Sequence, residues 1–232
     1  MKVNFKKTDI PNKTHSFKQY QIIKDMENNK NEEIDFKILH QQMLSGKMYN
    51  DLSPVLIKKR NRAVLLTNQY NNSYGKPALI REEILRKILG SMGNNVNFEP
   101  NFRCEFGINI IIGDNFFANF DCVMLDCNQI IIGNNVLLGP RVGIYTGNHA
   151  THPDDRIAGG CYAQPVTIKD NVWIGAGVHI LGGVTIGKNS IIGAGSVVTK
   201  DIPDNVIAAG IPCKIIRNIT EQDKDPYFLS SL

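Results

Sequence analysis

The chain is short of the features that would assign it to a specialised class. It has one tryptophan, and its five cysteines (Cys104, Cys122, Cys127, Cys161, Cys213) are scattered, odd in number and without CxxC spacing. That pattern excludes a disulfide framework and a thiolate metal motif, and it reads as the reduced thiols of a cytoplasmic protein. No apolar run is long enough to span a bilayer, so no membrane partner is expected. The start lacks the apolar core of a signal peptide, and residues 1–33 contain no arginine and several acids, unlike a mitochondrial presequence. Dense Lys/Arg clusters with interleaved aromatics are also missing, which excludes nucleic acid as an expected partner. The net charge of +4 is uneven: residues 1–62 carry +6 and the remainder −2. Hydrophobic content of 42% and charged content of 21% are ordinary for a globular protein, and 232 residues hold one sizeable domain with additions.

What is there is a rhythm. In Val166–Ile202, a step of six from Ile168 meets Ile174, Ile180, Ile186, Ile192 and Val198, all branched aliphatics. Four residues after each stands Val172, Val178, Val184, Ser190, Ser196 or Ile202. A helix repeats at 3.6 and a strand at 2, so a strict six predicts a solenoid whose flat faces each consume one hexapeptide. Gly175, Gly187 and Gly193 follow three of the aliphatic positions, where a tight corner calls for positive φ. The rhythm begins imperfectly near Gly93. Ile112-Gly113-Asp114-Asn115 and Ile132-Gly133-Asn134-Asn135 are the same cassette, but 20 residues apart, two more than three hexapeptides need. Ile132, Leu138 and Ile144 keep the step. The pattern then falls silent until Ile168, across a polar stretch with two histidines (His149, His152) and two aspartates. A solenoid that breaks once for a polar segment predicts a loop leaving the wall at about 146–165, and loops on rigid scaffolds are where binding and catalysis concentrate.

The rest divides around that core. Residues 1–34 form a polar extension, in which Phe17, Tyr20 and Ile23 fall near helical spacing. Residues 35–92 read as helical. Ser53-Pro54 predicts an N-cap and first helical position, with the helix running to about Tyr74 and stopping at Gly75. A second helix from Pro77 carries Ile80, Ile84, Leu85, Ile88 and Leu89 on one face and ends at Gly90. The solenoid occupies 93–212 and a tail 213–232. Stacked coils leave two open ends, and the helices and the tail are the natural caps.

Four separated motifs carry a resemblance: Asn119–Asp126, the segment Tyr145–Pro165, Val172-Trp173-Ile174-Gly175, and Ala208–Cys213. In order and spacing they resemble the maltose and galactoside O-acetyltransferases, hexapeptide-repeat enzymes that use acetyl-CoA, over residues 36–218. The resemblance implies an all-β main domain, a left-handed parallel β-helix of triangular section preceded by a small α-helical segment, assembled as a homotrimer with active sites between subunits. The usual parallel crossover is right-handed, so the handedness comes from the resemblance alone. It implies His149 as the general base that takes the proton of a sugar hydroxyl, which then attacks the thioester directly. An imidazole, with a reference pKa of about 6.5, suits that task, which is worth roughly 10²–10⁴ in rate.

By the same resemblance the acceptor is bound by Asp51, Glu105, Phe117, Asn119 and Asp126. Relatives show aspartate or serine at Glu105 and tyrosine at Phe117. Cys127 stands in place of a second carboxylate, and Cys161 in place of a larger side chain. The coenzyme contacts are Trp173 beside the pantetheine, Gly175, Ala176, Ala194, Thr199 and Lys200 on the last coils, and Lys214 and Arg217 beyond them. Galactoside-type relatives carry serine at Ala176, so here its backbone N–H is left as the oxyanion donor. No metal is implied. Three other readings remain open: an antibiotic O-acetyltransferase on the same fold, a β-helical carbonic anhydrase using His149, His152 and His179, and a non-catalytic scaffold. The identity of the sugar is not fixed.

Overall fold

Parallel strands two to four residues long, each followed by a corner, build the molecule. The computed structural model describes residues 32–225; Phe17, Tyr20 and Ile23 lie outside them. Three faces form. The first stacks Ser91–Met92, Ile110–Ile112, Ile130–Ile132, Val166–Ile168 and Thr185–Ile186. The second stacks Val96–Phe98, Phe116–Ala118, Leu137–Leu138, Trp173–Ile174, Ile191–Ile192 and Val206–Ala209. The third stacks Arg103–Cys104, Val123–Leu125, Gly143–Tyr145, His179–Leu181 and Val197–Val198. All rungs within a face run parallel. The result is a three-sided parallel β-helix with hexapeptide repeats.

The step of six is the interior of this prism. Ile168, Ile174, Ile180, Ile186, Ile192 and Val198 have no solvent exposure, and each fully buried aliphatic of this size is worth about 1.5–3 kcal/mol. Two serines enter the same interior with their hydroxyls satisfied. Ser190 donates to the Pro203 carbonyl (2.7 Å) and Ser196 accepts from Gly210 N (3.0 Å).

The glycines do something other than expected. Positive φ between the first and second faces belongs to Asn95, Asn115, Asn135, Asn171, Asn189 and Asn205, not to Gly175, Gly187 or Gly193. Asparagine tolerates the left-handed region better than most residues. Here the six amides also hydrogen-bond from coil to coil at 2.7–3.2 Å. The three glycines are required by close approach instead. A Cβ on Gly175 would sit 2.6 Å from Ala194 N, and one on Gly187 2.4 Å from Asp204 N.

Departures from the rhythm gather at one corner, between the third and first faces. Val123 to Ile131 is eight residues, whereas the stacked equivalent, His179 to Thr185, is six. The extra pair lies in Asp126-Cys127-Asn128-Gln129. One coil later the chain leaves the wall at the same corner after Tyr145 and returns at Val166, where Ile168 pairs with Ile132 as though nothing had intervened. The excursion is a hairpin, Gly147–His149 against Gly160–Ala163, with a short helix Pro153–Ile157 at its tip.

Helices α1 (32–44), α2 (Pro54–Asn71) and α3 (Ala78–Ile88) precede the first coil. Ala63, Tyr70, Ile84, Leu85, Ile88 and Leu89 continue the prism interior and close its open end. Two local expectations are corrected. Ser53 makes no side-chain cap, leaving only its carbonyl to accept from Leu56 and Ile57. Ile80 is exposed, and its neighbour Arg81 is buried instead, donating to the Tyr70 hydroxyl and the Phe98 carbonyl (2.7 Å each). Between α1 and α2, Tyr49–Asn50 is a strand that no local pattern announced. It pairs with Gly160–Ala163 and makes the hairpin a three-stranded sheet. Among the described residues no helix is long and apolar enough to cross a membrane.

Candidate active site

The small sheet carries His149. Its register sets His149 opposite Cys161 and Cys161 opposite Tyr49, so the three residues form one row across the strands. Directly paired residues share a face of a sheet. The row spans about 10 Å at the usual spacing between strands. His149 is exposed at one end, while Cys161 and Tyr49 are buried. Asn128, from the overlong corner, ties the arrangement together. Its Nδ2 donates to the Met43, Leu44 and Ala163 carbonyls at 3.0–3.3 Å, joining α1, the hairpin and the wall.

Asp51 and Glu105 meet at this corner although 54 positions separate them. The link is Arg60, which donates from Nη2 to Asp51, from Nε to Glu105, and from Nη1 to the Asp51 carbonyl (2.9 Å). Burial alone would lower the Arg60 pKa, but the Glu105 and Asp51 carboxylates outweigh it and hold the guanidinium firmly charged. Arg60 also lies over the Phe106 ring at 5.2 Å. Beneath are Tyr49, Cys127 and Cys161, with the Cys161 thiol 3.2 Å from the Tyr49 hydroxyl. Burial pushes the Cys127 thiol up to about 12 and raises Cys161 and Tyr49 as well, so all three are uncharged. Arg60 and Tyr49 escaped the sequence reading. Arg60 sits on a helix among other basic residues, and only a contact across the fold distinguishes it.

Asp126 does not face this space. It is fully buried, accepting from the amides of Glu105 (3.0 Å), Phe106 (2.8 Å) and Asn109 (3.1 Å). Burial lifts its carboxyl to about 6 despite those donors. Its place as an acceptor contact is corrected to that of a wall residue, which holds the corner on which Glu105 stands. Asn119 caps its own turn by accepting from Phe120 N (2.8 Å).

The remaining residues lie elsewhere on the prism. Phe117, Leu137 and Trp173 stack outward along the second face, and Trp173 is 52% exposed. Ala176 and Ala194 follow at the corner between the second and third faces on successive coils, Ala176 over Gly139 and Ala194 over Gly175. The Ala176 N–H has no hydrogen-bond partner among the described residues. Thr199 and Lys200 are exposed at the hairpin's own corner, two coils further on. Lys214 is exposed on the final strand, Lys214–Asn218, whereas Arg217 is held by Asp223 through two bonds (2.6 and 2.8 Å). One chain therefore brings His149, Asp51 and Glu105 to one corner and leaves Phe117, Asn119, Trp173 and Ala176 on the second face and the corner beyond it. His152 and His179 are engaged separately: His152 accepts from Asp154 N, and His179 stacks on Tyr145 with a 3.1 Å contact to its hydroxyl. Among the described residues no group of three or more His, Cys, Asp or Glu side chains could hold a metal ion.

Hexapeptide coils, a helical cap and one excursion bearing a histidine define a hexapeptide-repeat β-helix protein, and comparison with known proteins narrows the class. Residues 42–93 match the maltose acetyltransferase hexapeptide capping motif, residues 165–200 the bacterial transferase hexapeptide (six repeats), and residues 129–147 the hexapeptide repeat of succinyl-transferase. The chain is 43% identical over 188 residues to the galactoside O-acetyltransferase of Escherichia coli K12, covering 81% of this chain and 93% of that one. A maltose O-acetyltransferase structure from Clostridium difficile 630 is 50% identical with a TM-score of 0.76, covering 79% of this chain and 98% of the other. A galactoside acetyltransferase solved with coenzyme A is 41% identical at the same TM-score, covering 82% and 95%. The chain belongs to the maltose and galactoside O-acetyltransferase family of hexapeptide-repeat proteins. It is an acetyl-CoA-dependent acyltransferase.

Proposed function

We propose that the enzyme transfers the acetyl group of acetyl-CoA to a hydroxyl of a sugar, with His149 as general base. The observation that supports this reading is the row His149, Cys161, Tyr49, which carries an exposed imidazole on the same corner as the largely buried Asp51 and Glu105. Carboxylates hold sugar hydroxyls through paired hydrogen bonds. The imidazole takes the hydroxyl proton as the oxygen attacks the thioester carbonyl, and returns it to the departing thiolate. The free Ala176 N–H fits an oxyanion donor. It stands at a different corner from His149, so the complete site requires a second copy of the chain. A closed trimer supplies three such junctions with one kind of contact. In that arrangement Trp173, Gly175 and Ala176 of one copy flank the pantetheine, with Ala194, Thr199, Lys200 and Lys214 along the groove. Arg217, already paired with Asp223, contributes less than Lys214. Phe117 and Asn119 reach the acceptor from the neighbouring copy. The five free cysteines fit a reducing compartment, the cytoplasm.

The test is thiol release from acetyl-CoA with a panel of sugars, together with the mass of the esterified product. His149→Ala is expected to lose roughly 10²–10⁴ in kcat while keeping the oligomer and its melting temperature. Turnover within a few-fold of the wild type would refute the assigned base.

A further inference from the structure

An arginine at a ligand site ordinarily recruits anions, because its fork matches carboxylate and phosphate geometry. Arg60 is already taken. Its Nε and Nη2 serve Glu105 and Asp51, its Nη1 serves the Asp51 carbonyl, and the Phe106 ring lies against the guanidinium. The groups beneath it, Tyr49, Cys127 and Cys161, carry no charge. Two carboxylates thus stand against one guanidinium, with side chains only 21–23% exposed. We infer that the Asp51–Arg60–Glu105 triad is a charge filter, in which Glu105 makes the enzyme select uncharged acceptors and reject those bearing a phosphate or carboxylate.

The inference rests on the acceptor lying at this corner, as proposed above. An anionic acceptor would come to rest against net negative charge in a partly desolvated place, where repulsion is screened less than on an open surface. Building in a like charge is an established route to specificity. Asp51 alone would balance the guanidinium; Glu105, reaching Arg60 from the wall, is the second carboxylate and leaves the triad with net negative charge.

The experiment compares glucose, glucose 6-phosphate and glucuronate as acceptors for the full-length enzyme with acetyl-CoA, at low and high salt, by initial rates and product mass. The expected result is a kcat/KM for both anions at least about tenfold below that for glucose, a ratio that narrows as salt rises. Glu105→Gln and Glu105→Ser, each checked for an intact melt, are expected to narrow it by about fivefold. Glucose turnover with anions used equally well overturns the filter and leaves the proposed function standing. A ratio unchanged in both folded variants overturns the part given to Glu105. If neither variant folds, the wild-type ratio and its salt dependence decide. No acetylation of any sugar overturns the acceptor reading and the filter together.

Discussion

Asn171 tests how the corners are held. Its φ is 60°, its Oδ1 accepts from Asn135 Nδ2 at 2.9 Å, and its Nδ2 donates to Asn189 Oδ1 at 2.9 Å. Two contributions can be separated by two substitutions. Asn171→Gly removes both amide bonds but keeps the left-handed backbone free of strain. At about 1 kcal/mol for each net hydrogen bond it costs about 2 kcal/mol. Asn171→Ala removes the same bonds and also forces a Cβ into the left-handed region, adding about 1 kcal/mol. Equilibrium denaturant unfolding at fixed protein concentration reads both differences, because assembly makes stability depend on concentration. In a thermal melt, 1 kcal/mol corresponds to about 2–4 °C for a chain of this size. The order expected is wild type, then glycine, then alanine. Alanine no worse than glycine would refute the backbone argument, and two variants as stable as the wild type would refute the amide ladder.

Gly175→Ala should be worse than either, because its Cβ would meet backbone 2.6 Å away rather than a side chain that can move. A loss of more than about 3 kcal/mol or failure to fold is expected, and a variant melting like the wild type would show that the coils can separate there. The pH dependence of stability should carry the mark of Asp126, whose carboxyl is lifted to about 6 in the folded protein against about 3.9 unfolded. The folded state then binds more protons between those values, so the stability tied to this group is present below about pH 4 and lost as pH rises through 6, roughly 3 kcal/mol in all. Asp126→Asn should flatten the slope over pH 4–6, and an unchanged slope would place the titration elsewhere. Trp173→Ala should raise KM for acetyl-CoA by about tenfold with a smaller change in the acceptor KM. The opposite pattern would move Trp173 to the sugar side.

The solenoid could be read from the sequence because its repeat unit is local: each hexapeptide makes one face and one corner, and Ile168 to Val198 reports the interior without reference to distant residues. The role of Gly175, Gly187 and Gly193 is ambiguous in the sequence because positive φ and close approach both call for glycine, and only the neighbouring coil separates them. Asn171 and Asn189, in the cassette that repeats, were the better sign of the left-handed corner. At the site, the irregularities were visible as a 20-residue spacing and a silent stretch, yet nothing in the sequence says that both fall at one corner. That Asp51 and Glu105 meet through Arg60 is a property of α2 packing on the wall. The burial of Asp126 depends on three amides from the preceding coil, so its sequence neighbours could not distinguish a sugar contact from a wall residue.

A stack of parallel rungs is in principle a template on which identical molecules could pile into fibres. Here Lys214–Asn218 doubles back against Val206–Ala209, so the second face terminates in a strand of reversed direction, exposed along its whole length and carrying Lys214 and Arg217. A parallel rung from another molecule finds neither the right polarity nor an uncharged edge to join. That reversal denies this end of the second face to fibre growth.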